Sequence, residues 1–103
     1  MRKYRVRITR AAECDIYSIF RYIAWDDPDA GSAWVQEIEG QISSLGRFPG
    51  RCPVIPESID LGQEYRHCIY GNYRTIFCIK GTKVIIMRVI HGAQLLNMEM
   101  FGK

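Results

Sequence analysis

Residues 64–92 read EYRHCIYGNYRTIFCIKGTKVIIMRVIHG, and this stretch decides the fold. Its three runs are rich in Ile, Val, Tyr and Phe and are separated by residues 70–72 (YGN) and 80–82 (KGT). β-Branched and aromatic residues favour strands, while Gly and Asn supply the positive φ angles of tight turns. The pattern therefore predicts an antiparallel meander of three strands. The basic side chains along it include Arg66, Arg74, Arg88 and His91.

Three further elements are predicted upstream of the meander. Tyr4, Val6 and Ile8 alternate with basic residues, which is the period of two expected of a half-buried strand. Two apolar stripes with helical spacing follow. They are Ala12, Ile16, Ile19, Phe20 and Ile23, and then Trp34, Ile38, Ile42 and Leu45.

Capping residues predict where these helices begin and end. Thr9 can cap the first helix, because its hydroxyl can accept a backbone N–H of the first turn. Pro28 disfavours helical geometry at Asp27, so Asp27 can cap a second helix that Pro28 begins. The other acids of this region are expected to cap or solvate the helices; they are Glu13, Asp15, Asp26 and Asp29.

The order of elements predicts an α+β fold of the form β-α-α-β-β-β, with residues 1–103 as a single domain. A helix hairpin is expected to pack on one face of a small antiparallel sheet. Residues 48–61 are rich in proline and are predicted to cross to the sheet without an element of their own. Residues 84–90 are apolar on both sides, which is typical of a strand covered on both faces. Residues 93–101 are expected to form a short helix or a tail.

Composition excludes several classes of protein. Fourteen Lys and Arg against eleven Asp and Glu give a formal charge of +3, too small to indicate nucleic-acid binding. Neither a long apolar run nor a leader opens the chain, so we expect a cytoplasmic protein without membrane contact. The four cysteines show no C-x-x-C pair, which favours free thiols. No metal site and no cofactor are predicted.

The position of the turn around Gly71 sets the register of the hairpin, and the register decides which side chains of its two strands share a face. If Gly71 is its centre, Arg66 and Arg74 share an open face with Cys68 and Ile76, where two guanidinium groups could clamp a phosphate or carboxylate. The predicted core set on the other face is Tyr65, His67, Ile69, Tyr73, Thr75 and Phe77. Whether Arg88 or His91 joins the two arginines depends on the register of the next turn, which the sequence leaves open.

The chemistry available to these residues is narrow. The sequence contains no recognisable nucleophile with a partnered base and no recognisable phosphate-binding glycine loop. RNA cleavage by 2′-OH attack is the one metal-free reaction they could support, since it needs a base, an acid and cations beside the phosphate. Against that, exposed arginines are often solvated or paired, and His67 suits a packed core or edge position.

Several short motifs, taken in order, resemble the RelE/ParE family of bacterial toxins. They are D-I-x-x-I-x-x-Y-I (residues 15–23), D-D-P-x-A (26–30), L-G-x-F-P (45–49), E-Y-R (64–66), G-N-Y-R (71–74) and R-V-I-H-G-A (88–93). The resemblance implies the toxin of a type II toxin–antitoxin system. It also implies a cognate antitoxin that wraps and silences the toxin, covering the second apolar face or the helices.

The resemblance implies two possible mechanisms. RelE-like members cut mRNA on the ribosome with basic strand residues, an arginine after the last strand and a C-terminal tyrosine. Arg66 and Arg74 match two of these positions, whereas Cys68, Gln94 and Met100 stand where the other groups are expected. The chain is therefore more similar to the ParE branch, which is associated with poisoning DNA gyrase.

The leading hypothesis is a gyrase inhibitor without catalytic residues of its own, whose target-binding residues are Arg66, Arg74, Arg88 and His91. One alternative is a ribosome-dependent mRNA endonuclease that uses Arg66, Arg74 and His91. Another is a degenerate member that is not toxic and acts only as a binding module.

Overall fold

The computed structural model describes residues 3–92. The expectation for residues 93–101, and the positions of Gln94 and Met100, lie outside this range. The elements are β1 (Arg5–Ile8), α1 (Arg10–Asp26), α2 (Pro28–Ser44), a 3-10 turn (Pro49–Arg51), α3 (Ser58–Leu61), β2 (Arg66–Tyr70), β3 (Tyr73–Lys80) and β4 (Lys83–His91). No helix among the described residues is long and apolar enough to cross a membrane.

The four strands form one sheet in the order β1-β4-β3-β2. The meander is antiparallel, and β1 lies parallel to β4, with Arg5 opposite Lys83 and Ile8 opposite Ile86. A parallel partner requires a crossover connection, which the helix hairpin and the rest of the chain provide. The predicted α+β fold is confirmed, and the parallel first strand makes the sheet mixed.

The helix hairpin covers one face of the sheet. The Thr9 hydroxyl accepts the N–H of Ala12 at 3.1 Å, and Asp27 caps α2 through the N–H groups of Asp29 and Ala30, so both predicted caps are confirmed. The α2 stripe is buried, whereas in the α1 stripe only Ala12 is fully buried. Against the stripes pack sheet residues Phe77, Val84, Ile86 and Val89.

The two helices lie in close contact at Gly31. A Cβ placed on Gly31 would lie 2.8 Å from the Cβ of Ala24, a distance that real Cβ atoms essentially never show. The missing side chain of Gly31 therefore permits the close packing of α2 on α1.

The segment before β2 covers the second face of the sheet, contrary to the expectation that it forms no element. In α3, the Ser58 hydroxyl donates to the carbonyl of Tyr65 and accepts the N–H of Tyr65, at 3.1 and 2.9 Å. Ile55 and Leu61 thereby pack on Ile76 and Ile90, beside Tyr65 and Cys78. Few apolar residues suffice here, because backbone and hydroxyl hydrogen bonds hold the segment in place.

The register of the hairpin differs from the predicted one by one residue. Gly71 has φ of 58° and forms a two-residue turn with Asn72, so Tyr70 faces Tyr73 and Cys68 faces Thr75. A slip of one residue exchanges the two faces of a strand. The prediction that Arg66 and Arg74 share an open face is therefore wrong, and the predicted core set is divided between the two faces.

A β-bulge lies between β3 and β4. Phe77 faces Ile86, but Ile76 faces Arg88, so Met87 is the extra residue. Beside the bulge, Arg88 donates from Nε and Nη2 to the Asp15 carboxylate at 2.6 and 2.7 Å. Asp15 was expected to cap or solvate a helix, and that expectation is wrong.

Candidate functional site

A cleft of about 710 Å³ lies where the β2–β3 turn meets the end of β4. We call it the sheet-end cleft. Its acidic and basic side chains are those of Glu57, His67, Arg74 and His91, and its lining also includes Ile69, Tyr73 and the Gly71–Asn72 turn. The cleft thus combines side chains from the three strands β2, β3 and β4 with Glu57 from the segment before α3.

Arg74 lies at the centre of this cluster and is only 8% exposed. Its Nη1 and Nη2 atoms donate to the two Glu57 carboxylate oxygens at 3.0 and 3.2 Å, which makes a bidentate ion pair. Its Nε donates to Nδ1 of His67 at 3.0 Å, so that nitrogen carries no proton. All three donor groups of the Arg74 guanidinium are therefore engaged within the protein.

The protonation states follow from these contacts. The hydrogen bond from Arg74 holds the pKa of Glu57 below its ordinary value, although burial opposes this. Burial, and then the charge of Arg74, lower the pKa of His67. At neutral pH, Glu57 is charged and His67 is neutral, so the carboxylate balances the charge of Arg74. The group of Glu57, His67 and Arg74 carries no net positive charge with which to hold a phosphate.

Arg66 lies outside this cleft. Its Nη1 donates to the carbonyl oxygens of Gly50 and Cys52 at 3.1 and 2.5 Å, and Nη2 lies 3.6 Å from the exposed carboxylate of Glu64. Arg66 thus ties β2 to the 3-10 turn. Because it and Arg74 point to opposite faces, the two cannot clamp one anion.

His91 is the other predicted residue that reaches the cleft. It is exposed, it faces Tyr73 across the strand pair, and the two rings lie 5.7 Å apart in an edge-to-face arrangement. The register of β4 against β3 thus matches neither of the two alternatives that the sequence left open. The bulge places Ile90, instead of Arg88 or His91, opposite Arg74.

The structure therefore brings Arg74 and His91 together and places Arg66 and Arg88 elsewhere. Sequence reasoning missed Glu57, because nothing in a proline-rich crossing signals that its carboxylate folds back onto a strand. His67 lies half-buried on the edge strand β2, as expected, but its hydrogen bond to Arg74 was not foreseen. Within residues 3–92, no group of three His, Cys, Asp or Glu side chains could hold a metal ion.

Solved structures share this arrangement of helices and sheet. A chain of the chromosomal ParDE toxin–antitoxin system from P. aeruginosa has 21% sequence identity and a TM-score of 0.69, with 86% of this chain and 96% of that chain covered. A chain of the toxin–antitoxin complex RelBE2 from Mycobacterium tuberculosis has 26% identity and a TM-score of 0.58, with 86% and 98% covered. No curated protein sequence matches this chain.

The fold is thus that of a small α+β protein of the kind found in toxin–antitoxin complexes. Residues 6–96 match the sequence model of the ParE toxin of type II toxin–antitoxin systems, parDE, and the chain belongs to this family.

Proposed function

We propose that this ParE-family toxin acts in the cytoplasm by binding DNA gyrase and inhibiting it. On this proposal the toxin does not cleave RNA. The ion pair between Arg74 and Glu57 is the observation that carries the proposal. Cleavage of RNA requires cations grouped around a phosphate. Arg74 is neutralised by Glu57, Arg66 lies on the other face, and Arg88 is bound to Asp15.

The sheet-end cleft is the part of the surface we assign to target binding. His91 is exposed there beside the aromatic ring of Tyr73, and an aromatic and imidazole pair on a rigid sheet suits a protein contact. Arg74 shapes the cleft through its contacts with Glu57 and His67. Arg66 and Arg88 support the surrounding elements, so their effect on the target is indirect.

A second candidate, the ribosome-dependent mRNA endonuclease, is favoured by one observation. His67, Arg74 and His91 line the same cleft, so two imidazoles flank one guanidinium. In this arrangement the histidines would have to supply the acid and the base, and the Arg74 guanidinium would have to leave Glu57 for the phosphate.

Two assays on the purified toxin separate these candidates. We expect it to inhibit supercoiling of relaxed plasmid by gyrase, and we expect primer extension to find no cuts in ribosome-bound mRNA. His91→Ala should weaken gyrase inhibition by about tenfold or more, as for a central interface residue. Arg21→Ala is the control, because Arg21 is an exposed cation on α1 that does not line the cleft, and its loss should leave inhibition unchanged.

Each outcome of these assays is informative. Cut mRNA with unaffected gyrase would establish the endonuclease in place of our proposal. No effect in either assay would leave the third hypothesis, a binding module without toxicity. Equal loss in His91→Ala and Arg21→Ala would show that the cleft is not the contact surface.

We also propose that a cognate antitoxin binds the groove between α1 and α2. The structures similar to this chain come from toxin–antitoxin systems, and here the second sheet face is already covered by the chain itself. The groove remains open, with a volume of about 590 Å³. Its apolar lining residues are Ile8, Ile16, Phe20 and Val35, and Glu13 and Glu39 are among its polar ones. An apolar helix or extended segment fits such a groove.

A charge placed in the groove tests this assignment. Val35→Glu should weaken binding of the co-expressed cognate antitoxin by about tenfold or more. Ser43→Glu adds the same charge to an exposed position of α2 outside the groove and should leave binding unchanged. Equal binding by both variants would place the antitoxin elsewhere.

A further inference from the structure

Two cysteine thiols lie in contact at the edge of the sheet. The Sγ atoms of Cys52 and Cys68 are 2.9 Å apart, and the residues are separated by 16 positions in the chain. Cys52 is buried and Cys68 is half-buried, and both are free thiols in this structure. This contact lies on the edge strand β2 and has no part in the proposed gyrase contact.

The backbone explains why these two thiols meet. Val54 and Arg66 form an antiparallel bridge, flanked by the hydrogen bonds from Ile55 N–H to the Tyr65 carbonyl and from His67 N–H to the Pro53 carbonyl, at 2.9 and 3.3 Å. This pattern makes Val54 and Arg66 a non-hydrogen-bonded pair.

Counting two residues outward along each chain from this isolated bridge gives Cys52 and Cys68, so the two cysteines extend from the bridge on the same side of it. The bridge brings the two chain segments together, and the 2.9 Å contact of the Sγ atoms places the thiols within reach of each other for a disulfide.

The other two cysteines lack such a partner position. Cys14 is exposed on α1, and Cys78 faces Ile85 on the sheet face opposite to that of Cys68. They therefore serve as internal controls for the specificity of oxidation.

We propose that Cys52 and Cys68 form a reversible oxidation site, at which a low-molecular-weight disulfide such as oxidised glutathione converts the two thiols into one disulfide. One thiolate attacks a sulfur of the small disulfide, breaks its S–S bond and releases one small thiolate. The second protein thiolate then attacks the mixed disulfide and releases the other. The two cysteines lose two protons and two electrons, and the small disulfide is reduced to two thiols.

The bond would fasten the segment before α3 to β2. Glu57 belongs to the same segment, so oxidation fixes the stretch that places its carboxylate on Arg74. Burial, together with the hydrogen bond to Cys52, raises the pKa of Cys68 to about 12. Because the thiolate is the reacting form, oxidation should be slow at neutral pH and should accelerate as the pH rises.

The test uses the full chain, reduced and then incubated with oxidised glutathione under native conditions. We expect peptide mapping to find Cys52 linked to Cys68. In Cys14→Ser, which lacks the exposed thiol, we expect the titratable thiols counted after denaturation to fall from three to one. The oxidised form should melt at least about 4 °C higher, because the bond closes a loop of the unfolded chain. Dithiothreitol should reverse both changes.

Variants establish which thiols react. Cys14→Ser should oxidise like the wild type, while Cys52→Ala and Cys68→Ala should lose the cross-link. The wild-type map stands by itself if either alanine variant fails to fold. The proposal is overturned if the cross-link involves Cys14 or Cys78, if only glutathione adducts form, or if oxidation leaves the melting temperature unchanged.

Discussion

The carboxylate of Asp15 holds both the side chain of Arg88 and the backbone N–H of Val89, which it accepts at 2.9 Å. One residue of α1 thus fixes the bulged part of β4. The ion pair is largely shielded, with 15% of the Asp15 side chain and 21% of the Arg88 side chain exposed. Asp15 raises the pKa of Arg88 further above its ordinary value.

Asp15→Ala should lower the free energy of unfolding by about 2–4 kcal/mol, because it removes the carboxylate that binds the shielded Arg88 guanidinium and the Val89 N–H. Urea denaturation measures the change. Glu13→Ala removes an exposed acid from the same helix and should stay within about 0.5 kcal/mol of the wild type. A similar small effect for Asp15→Ala would mean that the pair contributes little to stability.

Arg74→Ala should lower the free energy of unfolding by about 3–5 kcal/mol, because it leaves the Glu57 carboxylate shielded and unpaired. An arginine on an open face would instead be expected to change the free energy of unfolding little when replaced by alanine. In a double-mutant cycle, Arg74→Ala combined with Glu57→Ala should cost less than the sum of the single changes, with a coupling of about 1–3 kcal/mol. Additive single changes would contradict the ion pair.

Stability should decline as the pH falls below about 6.5. The folded-state pKa of His67 is lower than its ordinary 6.5, so the unfolded chain binds more protons once the pH drops through that value. Glu57 acts in the same direction nearer its ordinary 4.5, because its folded-state pKa is also lowered. Urea denaturation between pH 5 and 7.5 measures the slope, and His67→Gln should flatten it. If His91→Gln flattens it instead, the assignment to His67 is wrong.

Gly31→Ala should destabilise the protein by about 1–3 kcal/mol, because the new methyl group would overlap Ala24. Gly40 provides a control on the same helix, since nothing lies within 4 Å of a Cβ built there. Gly40→Ala should stabilise the protein by about 0.5–1 kcal/mol through helix propensity. Thermal melts that moved in the same direction for both variants would contradict the close helix contact.

Local patterns predicted most of the fold. The caps at Thr9 and Asp27 and the turns at Gly71 and Gly81 depend on neighbouring residues, so the sequence alone reveals them. The face assignment of the meander failed because it depends on whether the turn contains one or two residues, and Gly71 and Asn72 both suit a turn.

The partners of the charged residues could not be predicted in the same way. Arg74 and Glu57 are separated by 17 residues, and Arg88 and Asp15 by 73. Such pairs form only when the tertiary fold brings the elements together, and no spacing rule signals them. The cross-strand neighbour of His91 could not be predicted either, because the bulge adds one residue to β4 and shifts the pairing beyond it.

The position of β1 at the sheet edge has a consequence for synthesis of the protein. Among residues 3–92, its strand neighbour in the sheet is β4, which is synthesised after the other described strands, and the Thr9 hydroxyl donates to the carbonyl of Met87, 78 residues away. During synthesis, β1 therefore lacks its strand partner until nearly all of the described chain has been translated. A growing chain has no complete sheet, so the toxin reaches its working shape only after translation of β4.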